Sequence, residues 1–412
     1  MGLWDALSLL GRNRDFARLY VAQLISFAGD WFALVALLGL VSSLTGSATL
    51  TTLVLVSQMI AIAVFSPLGG HLADRLDRRR LMIVSDVIRI VLTLGYLLID
   101  DPANVWLAFA LTAGIAALSA VFTPASNAAI PNLVEPEDLP AANVLAAAAW
   151  GTMLAVGAAL GGVVAALFGR DAAFIGDAVS FAVSGVLLLR IRRSFSEVRQ
   201  FREHPGLGEA TRETIRYARR DHRVLALLSV KAGFGLGAGV IGLLPILALE
   251  VFHAGDQGTG ILWGFRGVGA LVGPFLARRY TRDLRSLFAA IGVSFAVYGL
   301  FYATVPLMPT LWAAAVFVLL AHLGGGAQWT LSTYGLQIIV PDRIRGRVFS
   351  FDFGLVTLTL ACSILIGGWA ADHFDPRAVM LVMSGVALAY AVVWSAATTR
   401  LRRRDPDFTP AL

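Results

Sequence analysis

Asp30 stands in the run SFAGDWFALV, Lys231 in SVKAGFGLG and Arg266 in GFRGVGALVG. His322 and Gln328 share the stretch AHLGGGAQW. These are polar side chains set among apolar and small ones. If such runs cross a bilayer, an ionisable group near the centre costs about 2.5–3.5 kcal/mol on insertion scales, so each needs a physical reason. Asp30 can bind a proton or a cationic group from a cavity, or it can accept hydrogen bonds from a neighbouring helix and hold packing. Lys231 can snorkel to an interface or pair with a carboxylate. Arg266 cannot lose its proton, so it is a fixed positive charge. It serves either an anionic substrate group or, the reading preferred here, an acidic partner. His322 and Gln328 line a cavity or are satisfied polar groups of the packing. Asp177 is read as structural.

A second group of charges is short-range and basic. The stretch GGHLADRLDRRRLM (69–82) packs Asp74, Arg75, Asp77 and Arg78 into one gap between apolar runs. Asp86 and Arg89 follow, one helical turn apart and on one face. Asp352 opens a later apolar run. The glycine-rich segments GFGLGAGVIG (233–242) and GVGALVG (267–273) follow no strand and lie inside apolar runs, so they read as close helix packing and not as nucleotide loops.

Composition decides the setting. Of 412 residues, 57% are hydrophobic and 15% charged, and the mean hydropathy is +0.74. That is the composition of a membrane chain. The single cysteine excludes an internal disulfide and a Cys-cluster metal site, and the six histidines are scattered. No metal or cofactor is expected. Lys231 is the only lysine, and it does not stand in a Walker A pattern, so the chain has no ATP-binding loop of its own. With no nucleophile elbow either, an enzyme is not expected. The net charge is +6, but the arginines lie in gaps between apolar runs. They therefore speak for membrane orientation and not for nucleic acid. The N-terminal stretch has no cleavable signal, so the first span is expected to act as the targeting signal.

Twelve runs are long enough to span, at about 16–42, 50–71, 81–99, 104–127, 141–168, 172–192, 223–251, 257–277, 286–306, 309–335, 349–371 and 377–399. Pro124 and Pro131 interrupt the end of the fourth. The gaps 75–80, 190–223, 278–285 and 343–347 and both tails are rich in arginine, whereas the alternate gaps carry only Arg170 and Arg377. The positive-inside rule then places both termini in the cytoplasm. The gap between spans four and five, with Glu135, Glu137 and Asp138, is an acidic exception. A repeat is visible too. Gly69, Leu72 and Ala73 fall opposite Gly273, Leu276 and Ala277, and Gly161-Gly162 opposite Gly367-Gly368, at offsets of 204 and 206 residues. The expected layout is a cytoplasmic N-terminal segment (1–15), a six-helix bundle (16–192), a cytoplasmic linker (193–221) with a surface helix near 207–220, a second six-helix bundle (222–400) and a tail (401–412). The fold class is an all-α membrane protein of two pseudo-symmetric six-helix bundles.

Gly70-His71-Leu72-Ala73-Asp74-Arg75-Leu76-Asp77-Arg78-Arg79 resembles the signature G-x-L-x-D-R-x-G-R-R of the major facilitator superfamily, with Asp77 where the usual glycine stands. The resemblance covers the whole chain. Two further stretches, VPDRIRGRVFSFDFG (340–354) and RDFARLYVAQLISFAGDWFALVAL (14–37), look like segments of bacterial efflux proteins related to enterobactin and macrolide exporters. The fifth span carries Gly157, Gly161 and Gly162 in a partial match to the G-P-x-x-G-G of drug/proton antiporters, with alanine replacing the proline. The arginine those antiporters often carry in the fourth helix is absent.

The resemblance implies a secondary exporter working by alternating access. Gly70, Asp74, Arg75 and Arg78 would form a closing latch against the start of the eleventh helix, with Asp86, Arg89 and Asp352 as neighbours. Asp30 would be the protonation site, with Lys231, Arg266, His322 and Gln328 in the cavity. Gly157, Gly161, Gly162, Gly367 and Gly368 would be the packing glycines. The expected partners are a small amphipathic substrate (antibiotic, siderophore or metabolite), protons and the lipid bilayer, in a monomer of the bacterial inner membrane. The alternatives are a lipid or lysophospholipid flippase or an importer of the same fold, and a non-transporting receptor or scaffold.

Overall fold

The computed structural model describes residues 3–193, 195, 207–277, 283–399 and 401. Among them the regular elements are all helical: α1 (Leu3–Arg12), α2 (Arg14–Thr45), α3 (Ala48–Arg75), α4 (Arg78–Leu94), α5 (Trp106–Leu133), α6 (Leu139–Phe168), α7 (Arg170–Leu189), α8 (Leu207–Arg220), α9 (His222–Gly237), α10 (Gly239–Ile246), α11 (Gly255–Ala277), α12 (Leu284–Thr304), α13 (Leu311–Ile339), α14 (Asp342–His373) and α15 (Pro376–Ala397), with short 3₁₀ and π turns between. Twelve of the helical stretches are long and apolar enough to cross a membrane.

Local chemistry sets the helix ends. The Asn13 side chain accepts from Phe16 N at 2.9 Å and starts α2, and Gly46, at φ 61°, ends it in a left-handed conformation that costs glycine little. Asp77, which replaces the glycine of the superfamily signature, accepts from Arg80 N at 2.8 Å and caps α4. Asp283 caps α12 in the same way, with Ser286 N at 2.7 Å. That backbone hydrogen bond holds the Asp283 carboxyl below the usual carboxylate range. The cap is therefore present at neutral pH and is lost as the pH falls through the lowered value.

Two spans depart from the sequence pattern in their continuity. α5 runs unbroken past Pro124 and Pro131 to Leu133, because packing against neighbouring helices outweighs two lost ladder bonds. The seventh span is instead broken. It divides at Ala238 into α9 and α10, and a π turn over Leu247–Val251 follows Pro245. One side chain repairs the break. Ser363 Oγ on α14 accepts from Gly239 N at 2.9 Å and donates to Leu236 O at 2.5 Å. Ser363→Ala is therefore expected to destabilise the protein by about 2–4 kcal/mol, because two backbone groups lose their partner in an apolar setting. Ser363→Thr should retain most of the stability, and thermal unfolding in detergent reads both.

The chain divides into two compact units. Unit 1 comprises Met1–Gln200 with Ala248–Gly264, and unit 2 comprises Phe201–Leu247 with Phe265–Leu412. The first turns of α11 thus belong with unit 1. Gly162 of α6 permits this, since a Cβ there would lie 2.7 Å from Asp256 O and 2.9 Å from Gly260 Cα. Arg170 then clamps Asp256, with Nε 2.8 Å from Oδ2 and Nη2 3.2 Å from Oδ1, and donates to Ser43 Oγ at 2.7 Å.

The repeat reappears as packing. Gly69 of α3 meets the Ala120 carbonyl of α5, where a Cβ would stand 2.0 Å from the oxygen. Its repeat partner Gly273 of α11 meets the Leu323 carbonyl of α13, at 2.2 Å. The acidic gap between spans four and five also finds its reason. Asp138 pairs with Arg12 at 3.1 Å and Glu135 with Arg193 at 3.0 Å, so these acids offset arginines that flank the first and sixth spans.

Candidate functional site

In unit 1 the buried guanidinium of Arg89 stands among three carboxylates. Arg89 and Asp86 on α4 are 0% and 1% exposed, and Asp177 on α7 is 1% exposed. Arg89 Nη1 donates to Ser26 Oγ of α2 at 3.1 Å and lies 3.6 Å from Asp86 Oδ1. Its other nitrogens find no hydrogen-bond partner among the described residues. The guanidinium lies instead between two rings, 5.0 Å from Phe122 and 5.2 Å from Phe181, where cation–π attraction offsets part of the lost hydration. Ser184 Oγ donates to Asp86 Oδ2 at 2.7 Å. Asp177 takes hydrogen bonds from Ser180 at 3.1 Å and from Thr93 at 3.5 Å.

Asp30 lies within electrostatic reach of Arg89, Asp86 and Asp177. Its Oδ1 is buried and has no hydrogen-bond partner among the described residues. Gly29 makes the approach of α7 possible, since a Cβ there would lie 2.2 Å from Asp177 Oδ1. Asp86 and Asp177 are buried and Asp30 is half-buried, so one fixed positive charge leaves the three carboxylates short of compensation, and a bound proton would lower that cost.

Unit 2 holds two smaller clusters. In one, Lys231 of α9 is in direct contact with Asp352 of α14, and both side chains are buried. Lys231 Nζ also donates to Thr333 Oγ1 at 3.0 Å and sits 4.9 Å from the centre of the Trp329 ring. Asp352 Oδ1 is buried without a hydrogen-bond partner. In the other, Arg266 Nε donates to His322 Nε2 at 3.1 Å, and His322 Nδ1 lies 2.9 Å from Tyr302 Oη. Arginine can only donate, so Nε2 must accept, and His322 is the neutral tautomer protonated at Nδ1. Gln328 is fully buried, and neither amide atom has a partner among the described residues.

The structure thus groups the sequence-predicted residues differently from the resemblance. Asp86 and Arg89 join Asp30 in the interior of unit 1. Asp352 lies not at the start of its helix but inside α14, which begins at Asp342, and joins Lys231 in unit 2. Arg78 is 3% exposed and serves unit 1 itself, donating to the carbonyls of Ala73, Ala128 and Phe195 at 3.1, 2.8 and 3.0 Å. Arg75 is exposed. The surroundings of Gly70 and the side chain of Asp74 lie outside the described residues.

The fifth-span glycines are close-packing positions. A Cβ on Gly157 would lie 2.4 Å from Ala28 O, and one on Gly161 2.4 Å from Phe32 O. A Cβ on Gly367 would lie 2.9 Å from the sulfur of the flexible Met383 side chain, and Gly368 is buried. A shallow apolar hollow of about 420 Å³ among α11, α12 and α13 contains none of the predicted polar residues.

Ser26, Thr93, Ser180 and Ser184 in unit 1 and Thr333, Trp329 and Tyr302 in unit 2 also belong to these clusters, and none carries a charge that would mark it in the sequence. A helical-face signal was available for some. Ser26 precedes Asp30 by one turn. Asp177, Ser180 and Ser184 share a face, as do Asp86, Arg89 and Thr93.

Twelve apolar helical stretches, with buried charge in both compact units, suit a membrane transporter. The chain belongs to the transmembrane secretion effector family of the major facilitator superfamily, which matches residues 7–411. It is 26% identical to a putative bacilysin exporter, BacE, of Bacillus subtilis over 90% of this chain and 92% of that one. It is 22% identical to the macrolide efflux protein A of Streptococcus pyogenes over 92% and 94%. Its fold is similar to that of a bacterial homologue of the human lysosomal transporter Spinster, with a TM-score of 0.75 at 16% identity over 95% of this chain and 98% of that one. The family and these relatives are transporters of small molecules and not enzymes.

Proposed function

We propose that the protein is a proton-coupled exporter of a small amphipathic compound, an antibiotic, siderophore or metabolite, and that it works by alternating access. One observation carries the coupling. Three carboxylates share the single guanidinium of Arg89, and the Asp30 carboxyl has a buried oxygen with no partner among the described residues. Asp30 is the site that takes up and releases the proton. Arg89 sets how many of the three acids can be ionised together. Each elementary charge moved across the membrane is worth about 2.3 kcal/mol per 100 mV, which is the driving force available to such a site. The names of the relatives, a bacilysin exporter and a macrolide efflux protein, support the outward direction.

The arginine-rich gaps support a bacterial inner-membrane protein with both termini cytoplasmic. Gly70, Asp74 and Arg75 keep the conformational role that the superfamily signature implies, while Arg78 holds unit 1 together. The test is accumulation of candidate compounds in cells that express the protein, with and without a protonophore. Exclusion that collapses with the gradient supports the coupling. Exclusion indifferent to the gradient removes it.

A further inference from the structure

We propose that unit 1 carries a binding site for the headgroup of an anionic phospholipid, separate from the buried clusters. A polar cavity of about 530 Å³ opens where α1 and α2 meet the gap between α5 and α6 and the chain after α7, and five arginines and three carboxylates line it. All three carboxylates are engaged. Asp15 accepts from Arg18 at 2.8 Å and from the backbone nitrogens of Arg192 and Arg193 at 3.3 and 3.1 Å. Asp138 takes Arg12, and Glu135 takes Arg193. Arg14 and Arg192 line the same cavity and have no carboxylate partner among the described residues.

Among the described residues the result is an excess of two positive charges in a concave site. Asn13 Nδ2 donates to Leu133 O at 2.7 Å and Arg18 Nη1 to Arg190 O at 2.8 Å, so the ends of α2, α5 and α7 are tied together beneath it. These are also the ends of membrane spans, which is the depth of phosphate groups. The face of α2 completes the fit. Arg14, Arg18 and Val21 fall on one side of the helix, and Val21 is 37% exposed. A lipid placed with its phosphate against Arg14 and Arg192 would lay an acyl chain along Val21. A soluble anion would use only the first half of this surface. The orientation proposed above decides only which leaflet supplies the lipid.

Native mass spectrometry of the full chain, released from nanodiscs of phosphatidylcholine with a defined share of phosphatidylglycerol or cardiolipin, tests the site. The wild type is expected to retain the anionic lipids over phosphatidylcholine, less so as ionic strength rises. The double variant Arg14→Gln/Arg192→Gln should lose about 5-fold in retention per arginine and roughly 30-fold in all. The control Arg80→Gln/Arg220→Gln removes the same charge from exposed positions elsewhere and should retain lipid as the wild type does. Equal retention by wild type and the Arg14/Arg192 variant would overturn the proposal, as would an equal loss in the control. Retention of inorganic phosphate with no preference for anionic lipid would overturn the lipid as occupant. Should the double variant fail to fold, wild-type retention that does not change with salt overturns the proposal by itself.

Discussion

Lys231→Ala is expected to destabilise the protein by about 3–5 kcal/mol, because it leaves the buried Asp352 carboxylate without its cation. Asp352→Ala should cost a similar amount for the reciprocal reason. The informative variant removes both charges. Lys231→Met/Asp352→Leu keeps the volume of the pair approximately and should recover most of the loss, since replacing a buried pair by apolar groups is often neutral or better. A double-mutant cycle on thermal unfolding in detergent isolates the coupling. The loss in Lys231→Ala should shrink as the pH falls, because a protonated Asp352 needs no cation. A double variant no more stable than either single one would mean that Thr333 and Trp329, rather than the charge pair, hold this part of unit 2.

Arg89→Ala should be at least as damaging, about 3–5 kcal/mol, and should abolish transport. Arg89 is fully buried, and its guanidinium is the cation that Asp30 and Asp86 both face. Without it, the buried Asp86 and Asp177 and the half-buried Asp30 lose their cation and hold protons more tightly, which takes the proton site out of exchange. Arg89→Lys keeps a charge but not the planar group between Phe122 and Phe181 that also reaches Ser26. It should fold better than Arg89→Ala and still transport poorly. Unfolding midpoints and transport in reconstituted vesicles separate the two effects. Full coupled transport by Arg89→Ala would show that the cluster is only structural.

Much of the architecture is written in hydropathy. Spans are long apolar runs, and the arginine-rich gaps separate them, so the twelve helices and the two-fold repeat are visible without coordinates. Chain partners across a bundle are not. Asp86 and Arg89 read as one helical face near a charged loop, yet their environment is set by α2, α5 and α7, which no local spacing reveals. Lys231 and Asp352 lie 121 positions apart in the chain, and only folding shows that the sole lysine meets that carboxylate. The break at Ala238 was hidden because a run of small and apolar residues reads as continuous helix, and its repair depends on Ser363, a residue of another span. Asp77 shows the converse. As a departure from the signature it looked anomalous, while as an N-cap it is ordinary helix chemistry.

The most direct test of the coupling is transport of an identified substrate into everted vesicles carrying the wild type or Asp30→Asn, with an imposed proton gradient and, separately, with substrate exchange at equilibrium. Asp30→Asn is expected to lose gradient-driven accumulation while equilibrium exchange persists, because the binding and movement of substrate remain and only the proton is uncoupled. Gradient-driven accumulation by Asp30→Asn at the wild-type level would contradict this expectation.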